Sequence, residues 1–411
     1  MNATPRRPAL RNLDDALAEL LGHAQPLTGG GLVSTFDADG RVLARDLVSE
    51  LQVPPLDNSS MDGYAVRSSE IADEGVTLPV SQRIPAGSVA APLVPGSAAR
   101  IFTGAPIPEG ADAVVMQEDA EAVGDQSVRI LRVPAPGQWI RRSGEDVARG
   151  AVVLARGERL GPAALGLAAS IGMDRVPVAP RPRVALFSTG DELVMPGQVA
   201  PAQMRPGAIY NSNRFFLQAL LRRLGCQVTD FGIVPDRRDA TIEALRLAAG
   251  EHDLILTSGG VSVGEEDHMK PAVEALGSLD LWQIAIKPGK PFAYGKVGGA
   301  HFMGLPGNPV SSFVTFVLLV RPFLLKLQGA SRLLAPVTLQ PAAFDWPRPD
   351  RRREFLRARR RPDGALELFP NQSSGVLTSA VWADGLIDNP PGRPIARGDP
   401  VRFMALAELI G

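Results

Sequence analysis

At 411 residues, of which 45% are hydrophobic, the chain is too long for one ordinary domain and apolar enough to build sizeable cores. Its 43 lysines and arginines nearly balance 44 aspartates and glutamates, which argues against a general nucleic-acid binder while leaving room for a local anion site. The single cysteine, Cys226, rules out an intramolecular disulfide and a thiolate metal cluster within one chain, and in LGCQV it reads as a small buried thiol.

Taken in order, residues 10 to 24 form a predicted amphipathic helix with Leu13, Leu17, Leu20 and Leu21 on one face and Asn12 as its cap. The opening MNATPRRPAL has two arginines but no apolar stretch behind them. The longest apolar run, Val314 to Val320, is too short to span a bilayer, so no membrane is expected and the cytoplasm is the expected address. Residues 50 to 145 alternate short β-branched runs (VTLPVSQRI, SAARIFTG, ADAVVMQ, SVRILRV) with Pro and Gly, which predicts a small β-domain inserted into a mostly helical one. A second helix is expected over Leu160 to Ile171, opening on Gly161 and Pro162.

From Arg183 strands and helices alternate. VALFS, CQVTDFGIV, DLILTSGG, LWQIAIKPGKP and HFMGLPGNP read as strands or strand ends. NSNRFFLQALLRRLG, Asp239 to Ala249 and Val310 to Leu327 read as helices. This pattern implies a mostly parallel sheet covered on both faces. From about residue 331 the texture returns to short strands with Pro-Gly breaks, a small all-β domain. Its charge run RRREFLRARRR, residues 351 to 361, reads as a solvated strand or loop ahead of an anion patch.

Ligands of an open parallel sheet bind beyond the carboxyl ends of its strands. Here those ends carry Thr189-Gly190-Asp191-Glu192, Pro235-Asp236, Ser258-Gly259-Gly260 running on to Ser262 and Asp267, Lys287-Pro288-Gly289-Lys290, and Pro306-Gly307-Asn308-Pro309. Glycines let backbone N–H groups approach an oxyanion, and a following helix N-terminus adds positive potential. Lys287 and Lys290 offer mobile positive charge. Glu192, Asp236 and Asp267 offer hard oxygen ligands suited to Mg2+. Each motif alone has a plainer reading: TGDE as a turn with a helix cap, SGG as a tight turn, KPGKP as a solvated loop. Their coincidence at successive strand ends favours a metal-bridged polyphosphate ester. No P-loop, no GxGxxG after a strand and no HExxH occurs, and with four histidines a zinc hydrolase is not expected.

Across nearly its whole length the chain resembles the molybdopterin molybdenumtransferases. STGDEL, SGGVSVGEEDH, KPGKP and LPGNPVS resemble the molybdopterin-binding fold. SSMDGYA (Ser59 to Ala65), FTGAPIP (Phe102 to Pro108) and IRRSGEDV (Ile140 to Val147) are similar to the molybdenumtransferase branch, which shares its architecture with the E domain of gephyrin. The chain departs from the usual pattern at His268, where tyrosine is common, and in NPPGRPIA.

The resemblance implies a multidomain α/β plus β fold: a split helical, dimerising domain (residues 1–49 and 148–180), an inserted β-domain (50–147), an α/β molybdopterin-binding domain (181–330) and a C-terminal β-barrel (331–411). It implies catalytic roles for Asp62, Asp146, Glu192, Asp236 and Asp267. Substrate contacts are implied at Thr103, Arg141, Ser258, Gly259, Gly260, Ser262, Lys287, Lys290, Pro306, Asn308, Pro309 and Ser374, with Mg2+ on Glu192, Asp236 and Asp267. The implied reaction is Mg2+-dependent insertion of molybdate into adenylylated molybdopterin with release of AMP. It takes place in a homodimer with the cleft between subunits, and other molybdenum cofactor synthesis proteins are further partners. The two rival readings are an adenylyltransferase acting one step earlier and a scaffold that kept only the fold.

Overall fold

The computed structural model describes residues 10–235, 237–260 and 269–410. Its centre is a six-stranded sheet. We number its strands β1 (Arg183–Thr189), β2 (Gln227–Val234), β3 (Leu254–Ser258), β4 (Gly277–Gln283), β5 (Pro291–Val297) and β6 (Ala300–Leu305). Their spatial order is β2-β1-β3-β6-β5-β4. β2, β1, β3 and β6 pair parallel, and β5 runs antiparallel to both its neighbours. Successive side chains point to opposite faces, and both faces are buried. Val184 and Leu186 of β1 and Leu254 and Leu256 of β3 enter one core, while Ala185, Phe187 and Ile255 enter the other.

Helix α1 (Asn213–Arg223) and the helix that begins at Pro309 pack on the first face, and α2 (Arg238–Glu251) and α3 (Met269–Leu276) on the second. α1 starts where Asn211 Oδ1 accepts from Arg214 N (3.2 Å) and stops at Gly225, whose φ of +79° suits glycine. The Pro309 helix continues through a π-helical turn at Phe316–Val320 to Leu327. By length and composition it could cross a membrane, yet it is buried here as a core helix. Cys226 is buried as expected, and loss of solvation pushes its thiol up to about 12.

Residues 31–48 and 152–178 close on one another. Gly31–Ser34 pairs with Arg175–Val178, and Leu47–Val48 with Val152–Leu154. Leu43, Leu47, Leu154, Leu160 and Val176 share one core. The expected mostly helical character does not hold here: one helix of nine residues, Pro162–Ser170, stands among short strands. The helix Leu13–His23 is capped as read, with Asn12 Oδ1 accepting from Asp14 N (2.8 Å). It buries Leu13, Ala16 and Leu20 in the α/β core, and Lys326 Nζ donates to its last-turn carbonyl at Leu21 (2.7 Å). Periodicity identifies an apolar stripe but not the surface that covers it.

Between these halves, six strands (Ala113–Met116, Gly63–Val66, Ala98–Ile101, Thr77–Ile84, Ser127–Ile130, Ala120–Val123, in spatial order) make one sheet. At the C-terminus, Arg353–Arg360, Gly385–Asn389, Pro400–Ala405 and Thr338–Pro341 pair in sequence. Leu366–Leu368 adds to Arg353–Arg360, and an Ala342–Leu366 bridge joins the two ends of the circuit.

The charge run 351–361 is corrected by this sheet. It forms a mostly buried strand in which Arg357 is 1% exposed and bonds Ser379 Oγ and the Phe355 carbonyl, while Arg353 is held by Asp388 and Asp14. Arginine stems line the strand and their heads find partners, which a linear count of charges does not reveal.

Candidate active site

A cavity of about 570 Å³ opens at the carboxyl edge of the parallel strands. Its wall includes Thr189 and Glu192 after β1, Asn211 and Asn213 at the start of α1, Ser258 and Gly259 after β3, Asn308 and Pro309 after β6, and Gly375. The expected convergence of strand ends is therefore real for Glu192, Ser258, Gly259, Asn308 and Pro309. Asn213 Nδ2 donates to Ser258 Oγ (2.8 Å) and to the Gly307 carbonyl (2.7 Å), locking two of these ends together. Thr189 Oγ1 and Asn211 Nδ2 are buried without a hydrogen-bond partner among the described residues. Pro306 is buried directly behind the Gly307–Asn308 turn.

Gly190 sets the position of the Glu192 carboxylate. Its φ is +134°, and a Cβ there would lie 2.5 Å from Glu192 Oε2 and 2.8 Å from Oε1. The carboxylate thus folds back over bare backbone. Gly190→Ala is expected to lower turnover roughly tenfold to a hundredfold, since small misplacements of a reacting group are costly. Gly197→Ala, also at positive φ (+86°) but facing open space, is the control that carries backbone strain alone. Equal activity in the two variants, measured by initial rates, would dismiss the positioning role.

One expectation about the glycine loop needs revising. The Gly259 N–H donates to the Leu305 carbonyl (3.1 Å), continuing the β3–β6 ladder, so it is not free to hold an anion. The opening of the Pro309 helix remains as the electropositive element, with the Val310 N–H bonded to the Ser374 carbonyl (2.9 Å). Ser374 itself is not on the cavity wall, which the neighbouring Gly375 joins. Gly260 follows Gly259 at φ +68°, outside the cavity wall. Asp236, Ser262 and Asp267, as well as His268, lie outside the described residues. Among those described, no three His, Cys, Asp or Glu side chains gather as a metal site.

Lys287 and Lys290 were read as ending a strand of the α/β sheet. That reading is corrected: β4 ends at Gln283, and Ile286–Lys287 leaves to pair in parallel with Arg353–Glu354 of the C-terminal sheet. Lys287 Nζ is held by Glu354 Oε1 (3.3 Å) and Asp350 Oδ2 (3.4 Å). Hydrogen bonds from Arg352, with the Lys287 charge adding, hold the Asp350 carboxyl well below the usual carboxylate range. Lys290 has no carboxylate within ion-pair distance among the described residues. The loop between the two lysines lies against the Pro309 helix, where a Cβ on Gly289 would sit 2.5 Å from Thr315 Oγ1.

Glu354, fully buried, also accepts from Trp346 Nε1 (2.9 Å) and Asn389 Nδ2 (3.3 Å). Glu354→Ala leaves those donors unmet and is expected to destabilise the chain by about 3 kcal/mol. Chemical denaturation checks this, and a loss under about 1 kcal/mol would contradict it.

Three motifs of the inserted domain meet in space. Asn58–Ser59 pairs with Ile140–Arg141, Gly104 N donates to the Ser59 carbonyl (2.8 Å), and Ser59 N to the Ala105 carbonyl (2.9 Å). Asp62 Oδ1 accepts from both the Thr103 amide and its hydroxyl, each at 2.7 Å, which holds the Asp62 carboxyl below its usual range. Trp139 takes a left-handed φ of 58°, and its carbonyl receives the Ser60 amide and hydroxyl at 2.9 Å each. Arg141, paired with Asn58, and Asp146, whose amide donates to the Val53 carbonyl (3.0 Å), are both exposed. No residue of 50–147 lines the Glu192 cavity.

Comparisons with known proteins match the chain in three stretches. The MoeA N-terminal region (domain I and II) matches residues 11–172, a probable molybdopterin binding domain matches 185–326, and the MoeA C-terminal region (domain IV) matches 340–406. Molybdopterin molybdenumtransferase of Haemophilus influenzae is 45% identical over 325 residues, 79% of each chain. The chain belongs to the molybdopterin molybdenumtransferase family. It is an enzyme of that family, whose work is molybdenum cofactor biosynthesis. Molybdopterin molybdenumtransferase 2 of Mycobacterium tuberculosis is 38% identical over 389 residues, 91% of this chain and 93% of that one. In three dimensions the chain is similar to the molybdopterin biosynthesis moeA protein of Pyrococcus horikoshii OT3, with a TM-score of 0.82 and 30% identity, covering 97% of this chain and 100% of that one.

Within this molybdenumtransferase fold, the sequence assigns no site role to Asn211, Asn213, Asp57 or Glu354. Asp57, which accepts from Arg142 Nη1 (2.6 Å) and Ser143 N (2.8 Å), stands two residues ahead of the SSMDGYA motif and gave no signal of its own.

Proposed function

We propose that this chain inserts molybdate into adenylylated molybdopterin, releasing AMP, and does so in the cytoplasm as a homodimer. The observation that carries the reading is the cavity in which the Glu192 carboxylate, the Asn213–Ser258 pair and the electropositive start of the Pro309 helix face one space. A carboxylate and anion-attracting groups together suit a pyrophosphate ester taken up with a cation. Glu192 fits one hard-oxygen position for Mg2+, and Asp236 and Asp267 are proposed as the others. Mg2+ bound there supplies polarisation of the pyrophosphate linkage. The dithiolene sulfurs of the substrate receive molybdenum, consistent with a chain that has one buried cysteine.

Asp62 and Asp146 are proposed as the carboxylates contributed by the inserted domain, with Thr103 and Arg141 holding substrate beside them. Lys290, free of ion pairs among the described residues, fits a role in drawing in molybdate. Other molybdenum cofactor synthesis proteins supply the substrate or take up the product. The four-part division of the chain at residues 49, 147, 180 and 330, with the C-terminal part a β-barrel, belongs to the same proposal.

The test is incubation of the full chain with adenylylated molybdopterin, Mg2+ and molybdate, followed by chromatography of AMP. AMP release that requires molybdate and falls when Mg2+ is omitted is expected. No AMP in the presence of molybdate would overturn the reading, and consumption of ATP with molybdopterin would replace it with the adenylyltransferase.

A further inference from the structure

The opposite end of the sheet carries a second concentration of charge. Helix α1 leads from the cavity wall at Asn213 to Arg222 and Arg223, and at about 1.5 Å per residue it spans roughly 16 Å. Beyond its far end lies a pocket of about 320 Å³ lined by Arg41, Arg159, Arg181, Arg222 and Arg223, with Asp39 as its carboxylate. The arginines come from separate passages of chain: two from the paired segments before and after the insert, one just ahead of β1, and two from the end of α1.

The fold builds this pocket with some care. Gly40 and Gly225 both sit at positive φ (+69° and +79°), and a Cβ on Gly225 would lie 3.9 Å from the Gly40 carbonyl, so the two turns touch. Arg159 spans the walls, its Nε donating to the Gly40 carbonyl (3.3 Å) and its Nη2 to the Arg223 carbonyl (2.8 Å). Arg41 Nη2 donates to the Ala179 carbonyl (2.8 Å). The acceptor of Arg41 is a neutral carbonyl, which leaves the positive charge of its guanidinium uncompensated.

Among the described residues, Arg41, Arg181, Arg222 and Arg223 make no ion pair, and the neighbouring Asp253 is already taken by Arg183. Burial, and then the charge of Arg181, hold the Arg41 guanidinium below its usual range. Basic residues in the last turn of a helix complement its dipole, which accounts for Arg222 and Arg223 but not for the three arginines brought from elsewhere.

We infer that this pocket is a binding site for a phosphate-type oxyanion, either inorganic phosphate or the phosphate group of a nucleotide, held by Arg181 and Arg222 with Arg41 behind them. Guanidinium forks match the spacing of tetrahedral oxyanions and bind them by paired, charge-assisted hydrogen bonds. A concave wall carrying five arginines against one carboxylate concentrates such anions above their bulk level. The site lies at the other edge of the sheet from the Glu192 cavity and does not depend on the proposed reaction.

Isothermal titration of the full chain with inorganic phosphate, and separately with AMP, at ionic strength held constant with chloride, tests this. Phosphate or AMP is expected to bind, and Arg181→Gln with Arg222→Gln is expected to weaken that binding at least about tenfold. Arg246→Gln, an exposed arginine of α2 that lines neither cavity, leaves it unchanged. Arg181 and Arg222 are exposed and their side chains hold no other element, so the double variant keeps its fold, checked by its thermal midpoint. Arg223→Gln serves as a second variant should that midpoint fall. If phosphate binds no better than chloride, or if phosphate binding survives the double variant or falls as far with Arg246→Gln, the site is refuted.

Discussion

Replacing Glu192 with alanine is expected to slow molybdate-dependent AMP release by about two orders of magnitude or more, because a ligand to a Lewis-acidic metal carries several kcal/mol of transition-state stabilisation. Stability should hardly move. Glu192 is exposed, and surface substitutions away from caps and cores are usually worth within about 0.5 kcal/mol. The two quantities separate the roles of this residue. A turn or cap residue loses stability and keeps its rate, whereas a metal ligand does the reverse. Titration with Mg2+ sharpens the result: the variant needs a higher Mg2+ concentration for half-maximal rate if Glu192 holds the ion. A variant at wild-type rate over the whole Mg2+ range would remove Glu192 from the site.

The second large effect concerns pairing of chains. Asp62 and Thr103 form one cluster with the loop that carries Arg141 and Asp146, and none of these residues lines the Glu192 cavity of the same chain. A homodimer in which the insert of one chain faces the cavity of its partner unites them. Asp62→Ala and Glu192→Ala chains, each inactive alone, should then recover activity when mixed. About half the dimers are hybrids, each with one site free of lesions and one carrying both. Activity should therefore return to roughly a quarter of wild type. Should each chain house a whole site, every site keeps one lesion and mixing restores nothing. Confirmed subunit exchange without recovery would end the shared-site account.

Much of the fold was legible in the chain because it rests on local rules. VALFS, DLILTSGG and HFMGLPGNP read as strands from short apolar runs with glycine or proline beside them, and Arg183–Thr189, Leu254–Ser258 and Ala300–Leu305 are strands buried on both faces. Asn12 and Gly225 marked helix ends through their own side-chain or backbone chemistry. The strand-end rule placed Glu192, Ser258 and Asn308 together because parallel strands in one sheet point their carboxyl ends the same way. Motif resemblance alone drew notice to Asp62, Thr103, Arg141 and Asp146, whose contacts no periodicity contains.

What remained for the tertiary structure was the choice of partners. LWQIAIKPGKP reads as one strand, yet it divides at Gln283. Ile286 and Lys287 find an open edge on Arg353–Glu354, and the buried Glu354 draws Lys287 into an ion pair with another domain. The helix Leu13–His23 shows its apolar stripe in sequence, but the α/β core rather than its chain neighbours covers it. The arginines of 353–360 look solvated in a row of letters. Alternation in a mostly buried strand gives Arg353 and Arg357 partners at Asp388 and Ser379. In each case the sequence by itself determined the element and its apolar pattern, since these depend on residues a few positions apart. Only the tertiary structure decided which distant carboxylate, carbonyl or strand edge met them, because burial sets the cost of an unpaired charge and burial is a property of the whole chain.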